Sequence, residues 1–199
     1  MNLNLRMIKT YHDNGNPRLE YTVDDQGQIH GTYQSWYENG QLYEQIEYVN
    51  GKLHGIRYVW DEDGQLCTQS EYVNGKRHGT YRDWHDNGQL REQSEYVNDN
   101  LHGTSRYWYD NGQLWEQCEY VNGARHGIRY IWNDDGSLNF IEQNDNGKEL
   151  VEVDYMYNNK PRKVVIIKIY DANIETTSFI ANITSSLSLE GKKYEIIHC

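Results

Sequence analysis

Phenylalanine occurs only twice in this chain. Leucine and isoleucine are thin as well, so there is too little bulky apolar material for a large conventional core. No apolar run approaches the roughly 20 residues that cross a bilayer as a helix. The opening MNLNLRMIKTYHDNG lacks the apolar centre of a secretory leader. Cysteine is scarce, odd in number and unevenly spaced (Cys67, Cys118, Cys199). That usage suits free thiols in a reducing compartment, and a cytoplasmic location is expected. The sequon Asn182-Ile-Thr184 would then go unused. Basic charge is also in deficit, with a formal net charge of −11. Residues 148–199 carry seven acidic and seven basic side chains, so the whole excess belongs to residues 1–147. Such a surface repels phosphate and argues against nucleic acid as a partner.

What the chain does have is one sentence written five times. His30, His54, His78, His102 and His126 are each followed by glycine at a step of 24 residues. Trp36, Trp60, Trp84, Trp108 and Trp132 keep the same step, as do Gly40, Gly64, Gly88, Gly112 and Gly136 and the leucines two residues after them. Tyr48, Tyr72, Tyr96 and Tyr120 precede a second turn, written Asn-Gly at 50–51, 74–75 and 122–123. A fixed period of this length marks a repeat architecture. Leucine-rich repeats need several leucines per unit, and here there is one. The runs between turns are too short for helices and are filled with Tyr, Val, Thr, Trp and Ile, so each unit reads as a β-hairpin feeding the next.

Loop length fixes which residues share a face. A three-residue loop at Glu38-Asn39-Gly40 pairs Trp36 with Leu42, Thr32 with Ile46 and His30 with Tyr48. The same reading of Asn50-Gly51-Lys52 pairs Tyr48 with His54. Together these registers put every strongly repeated apolar residue on one face and Gln45-x-Glu47 and its repeats on the other. They also set Arg82 opposite Glu92 and Arg106 opposite Glu116, as exposed cross-strand ion pairs contributing under ~1 kcal/mol each. Asp99, where glycine is expected, is tolerated in a left-handed turn position.

The expected fold is all-β: an elongated single-layer antiparallel sheet of tandem 24-residue hairpins, with a small C-terminal β or α+β cap. Residues 1–29 read as a degenerate N-terminal cap, 30–147 as the repeats (losing their spacing over 133–147) and 148–199 as the C-terminal cap. KVVIIKIY and KKYEIIHC read as strands; residues 174–189 fit a short helix or a strand pair equally well.

Chemical motifs are few. With strands ~4.8 Å apart, successive histidines lie about 10 Å apart, too far to share a metal, so the column is structural. DEDG at 61–64 and NDNG at 144–147 resemble calcium loops superficially. The positions an EF-hand reserves for Asp and Glu hold Val59 and Ser70 in one case and Glu142 and Val153 in the other. His85 sits near Asp83 and Asp86 without a placed nucleophile, Cys67 and Cys118 occupy different columns, and no Gly-rich phosphate loop opens a helix. No enzyme activity, cofactor or metal is expected.

At "W-Y-x-N-G-Q-L … E-Y-V-N-G-K-x-H-G" the chain resembles MORN repeats, in a variant form, over roughly residues 11–147. The first aromatic after His-Gly departs from the pattern by moving among Tyr33, Tyr58, Tyr81, Tyr107 and Tyr130. The resemblance implies a single-layer sheet of hairpins serving as a scaffold or dimerisation surface. Variants of this kind occur in bacterial immunity proteins that neutralise toxins and in large DNA viruses. The acidic balance argues against the anionic-lipid role proposed for some members. The function expected is therefore a non-enzymatic protein-interaction scaffold, with a second copy of itself as one candidate partner. An immunity protein blocking a toxin enzyme is the alternative, and a membrane-surface adaptor using Lys52, Lys76, Arg77 and Arg125 ranks below both. The expected protein-binding face comprises Trp36, Trp60, Trp84, Trp108, Trp132, Tyr48, Tyr72, Tyr96, Tyr120, Arg82 and Arg106, because aromatic and arginine clusters anchor interfaces.

Overall fold

The computed structural model describes residues 4–157, 160–169 and 193–198. Every regular element among them is a β-strand. The chain forms two compact units, Met1–Asn100 and Leu101–Cys199. In the first, the strands Gly31–Trp36, Leu42–Val49, Gly55–Trp60, Leu66–Val73, Lys76–Trp84 and Leu90–Val97 pair antiparallel in chain order. They are preceded by the hairpin Arg6–Tyr11 with Pro17–Val23. In the second, Gly103–Trp108, Leu114–Val121, Ala124–Trp132, Leu138–Asp145, Lys148–Tyr157 and Lys160–Ile169 continue the same way. Lys193–His198 then pairs parallel with Lys160–Ile169. Both expected C-terminal strands are thus present, while residues 174–189 lie outside the described residues.

The first turn of each unit follows the sequence expectation. Tyr37 N–H donates to the Gln41 carbonyl at 2.9 Å and Gly40 N–H to the Tyr37 carbonyl at 3.0 Å, closing the loop Glu38-Asn39-Gly40. Gly40 sits at φ 89°, which glycine adopts without a Cβ penalty. The Asn39 carboxamide oxygen accepts from Gln41 N–H at 2.8 Å and rigidifies the loop.

Two features of the register differ from expectation. Trp36 does pair with Leu42, but the next pair is Ser35 with Glu44, so Tyr43 is an extra residue in a β-bulge. From there Tyr33 faces Ile46 and Gly31 faces Tyr48, one residue off the expected partners. The second turn has two loop residues rather than three: Val49 pairs with Lys52, and Asn50 and Gly51 have φ 51° and 72°. Both central residues at positive φ define the type I′ hairpin, for which Asn-Gly is the preferred pair. Asn98 and Asp99 make the same turn at φ 51° and 71°, and the Asp99 carboxylate accepts from Arg77 N–H at 2.8 Å. The repeat therefore closes at 24 residues by a different route, with a one-residue bulge after the tryptophan hairpin and a two-residue register shift at His-Gly, where Tyr72 pairs with Arg77 but Ser70 with Tyr81.

Glycine in that His-Gly pair has two reasons to be glycine. Gly79 has φ 102°, and a Cβ there would come within 3.2 Å of the Glu71 Cβ. The same glycines lie opposite the tyrosine column, Gly55 against Tyr72 and Gly79 against Tyr96. Residues 133–147, where the sequence loses the repeat spacing, keep the hairpin geometry: Asn146 and Gly147 form another turn at φ 48° and 82°.

Candidate functional site

Alternation along the strands sorts the repeated side chains onto two faces. One carries Tyr33, Ile46, Tyr48, Arg57, Ser70, Tyr72, Tyr81, Ser94 and Tyr96 in the first unit. It is the buried face: Ile46, Ser70, Ser94 and Asp83 are at most 4% exposed. Small residues alternate with large ones across the strands, so Tyr81 lies between Ser70 and Ser94 in the ladder. Edge-on ring contacts join Tyr33 to Tyr48 at 6.1 Å and Tyr81 to Tyr96 at 6.2 Å. Burial, reinforced by Asp83 and Glu92, pushes the Tyr81 phenol up to about 12. Burial likewise raises Tyr33, Tyr48 and Tyr120.

The corresponding face of the second unit holds an ionic cluster. Arg129 donates through Nε and Nη2 to the two oxygens of Glu116 at 2.8 and 3.2 Å, and through Nη1 to Glu142 at 2.9 Å. These side chains are 15%, 8% and 7% exposed. Burial alone would lower the arginine pKa, but its bonds to Glu116 and Glu142 leave it raised. Arg57 makes a lesser version with Glu44 at 2.6 Å.

The opposite face of the first unit is built in three rows running across the strands. The first alternates Trp36, Leu42, Trp60, Leu66, Trp84 and Leu90. The middle row runs Gln34, Gln45, Tyr58, Gln69, Arg82 and Gln93. The third pairs Thr32 with Glu47, Ile56 with Glu71 and Thr80 with Glu95. All three indoles are half-buried. Tyr58 stacks on Trp60 at 5.6 Å, and Gln34 donates to Gln45 at 2.9 Å. At the start of this face an open groove of about 460 Å³ is lined by Met7, Glu20, Thr22, Thr32, Gln34 and Gln45 among others.

The expected face is therefore split. Trp36, Trp60, Trp84 and Arg82 share one side in the first unit, and Trp108, Trp132 and Arg106 share the corresponding side in the second. Tyr48, Tyr72, Tyr96 and Tyr120 lie on the other side, because the bulge after each Trp–Leu pair shifts the alternation by one. Arg82 and Arg106 consequently face Gln93 and Gln117, not Glu92 and Glu116, and Arg106 Nε donates to Gln117 at 2.9 Å. In place of the expected ion pairs, Arg57, Arg91 and Arg129 pair with Glu44, Asp83 and Glu116/Glu142. Arg77, which the sequence offers only as a turn-tip cation for a membrane surface, covers the Tyr96 ring at 4.3 Å. Its signal was available in the Tyr-Val-Asn-x-x-Arg spacing. Among the described residues no three metal-ligating side chains cluster.

Seen from outside, the period of this face is also the period of a known repeat. A family model described as the MORN repeat variant matches residues 29–50, 53–74, 77–98 and 101–122, successive matches starting 24 residues apart. The chain is a MORN-repeat protein. MORN repeats are in general binding motifs for proteins or membranes, and the repeat itself is not catalytic. The match ends at 122, whereas the MORN-type hairpin geometry runs on to the turn at Asn146-Gly147. No curated protein matches the sequence. Similar solved structures include an S. aureus TarM mutant with fondaparinux, α-GlcNAc-glycerol and UDP, at 12% identity and TM-score 0.28 over 60% of this chain and 21% of that one. A GtfA/B complex bound to UDP and GlcNAc gives 13% identity and TM-score 0.28 over 73% and 32%. This chain spans a fifth to a third of those chains, and likeness at that level carries no argument about fold or activity.

Proposed function

We propose that this protein is a non-enzymatic interaction scaffold that docks another protein on the tryptophan-bearing face of its MORN repeats. The observation that carries the reading is the row Trp36, Trp60 and Trp84. These indoles stand on one side of a single strand layer, half-buried, with no second layer over them among the described residues of that unit. Packed domains normally cover such a face with a second layer. An antitoxin-type role would use the same surface.

Site-specific photocrosslinking tests it. A crosslinker at Gln69, in the middle row, is expected to capture a protein partner in cells, and one at Arg91, on the opposite side, is not. Equal capture at both positions, or none at Gln69, refutes the reading. Sedimentation velocity of the purified chain separates homotypic from heterotypic docking.

A further inference from the structure

The three rows have a chemical order and a repeat distance, and together they select an occupant. Apolar Trp and Leu lie on one margin, amides interrupted by Tyr58 and Arg82 run down the middle, and Glu47, Glu71 and Glu95 lie on the other margin. The row holding these carboxylates contains otherwise Thr32, Ile56 and Thr80, with no cation. Each row repeats every two strands, about 10 Å. A polyproline II segment advances three residues per turn at about 3.1 Å each, close to the same distance. It presents one residue in three to each side and leaves its carbonyls free for amide donors such as Gln69 and Gln93. Aromatic rows are established docking platforms for such helices.

We propose, building on the scaffold reading, that this face of the first unit binds a basic polyproline II segment of a partner protein. Lysine or arginine at every third position meets Glu47, Glu71 and Glu95, and an apolar residue of each triplet packs on the Trp36, Trp60 and Trp84 row. Charge complementarity sets the occupant. A second copy would bring the same carboxylates against these, and an anionic membrane would be repelled. Arg82, in the middle row between Gln69 and Gln93, opposes cations placed centrally and so directs them to the glutamate margin.

The test uses the full chain and a fluorescein-labelled peptide of four Lys-Leu-Pro triplets, read by anisotropy at low and high salt. Binding should weaken at least tenfold in Glu47→Gln/Glu71→Gln/Glu95→Gln and fall steeply with salt. Glu38→Gln/Glu62→Gln/Asp86→Asn removes the same charge at the exposed turns and should leave binding within about twofold. A peptide of identical composition with its lysines in one block should bind at least fivefold more weakly. Equal loss in both triple variants, or equal binding of both peptides, shows mere attraction to net charge and overturns the proposal, as does no binding by the wild type. Selective capture at Gln69 alongside that failure would leave the scaffold reading standing with a different partner.

Discussion

Replacing Arg129 with methionine keeps most of the side-chain volume, including the stem near the Phe140 ring, whose centroid lies 5.4 Å from the guanidinium carbon. It strips the counter-charge from two carboxylates that are only 8% and 7% exposed. Breaking a buried ionic cluster by removing one partner typically costs about 3–5 kcal/mol, because the remaining charges stay unpaired. The sign of the pH dependence follows. Without the guanidinium, the two carboxylate charges stay buried with no counter-charge, a cost that exists only while they are ionised. The deficit should be largest at neutral pH and shrink towards about pH 4. Urea unfolding near pH 7 and pH 4, with hydrogen exchange to localise the effect to Leu101–Cys199, measures it. Adding Glu116→Gln and Glu142→Gln should recover most of the loss at neutral pH. A single variant that loses less than ~1 kcal/mol, equally at both pH values, would refute the claim that the cluster is a buried charge network.

Three further outcomes are expected. Tyr81 is held near 12 against about 10 when unfolded, so its contribution is intact below pH ~10 and is lost between there and ~12. After discounting for partial solvent screening this amounts to about 1–2 kcal/mol, and Tyr81→Phe should flatten the alkaline arm of a stability profile followed by tyrosinate absorbance. Gly79→Ala must adopt φ 102° and press on Glu71; a loss of at least ~2 kcal/mol should appear in chemical unfolding, and no loss would show that the His-Gly bulge is dispensable. Cys118 is fully buried, and burial pushes its thiol up to about 11; peptide mass spectrometry after iodoacetamide treatment should find it unlabelled until the chain is denatured, and prompt labelling of the native protein would contradict its packing.

Much of this was readable from residues whose roles are rigid. Glu38-Asn39-Gly40 carries its own turn chemistry, so the hairpin loop and the Trp36–Leu42 pair could be placed from the chain alone. The bulge that follows could not, because its extra position is Tyr43, Cys67, Arg91 and Trp115 in successive units. A geometry satisfied by any side chain leaves no compositional trace. Asn50-Gly51-Lys52 fits a three-residue loop when apolar residues are required to share one face, but Asn50 and Gly51 both take positive φ and close a two-residue turn. The hidden bulge alone places Tyr48 and its counterparts on the side opposite the tryptophans. Ser70, Ser94 and Ser105 are only 2%, 0% and 1% exposed and carry the clue to the buried side. Small polar residues recurring between aromatics mark where large side chains need room.

The second turns of the repeat are also joined to one another. Gly51 N–H donates to the Ile29 carbonyl and Gly75 N–H to Leu53, each at 2.8 Å, while Gly123 and Gly147 reach Leu101 and Arg125 in the second unit. Each bond spans 22 residues and is regenerated only when the step between neighbours is conserved. Loss of a single residue inside a repeat would misalign a whole file of donors, whereas duplication of one complete repeat would leave every donor facing an acceptor. Such a chain can grow or shrink in whole modules, and its reach towards a partner is thereby adjustable in steps of about 10 Å.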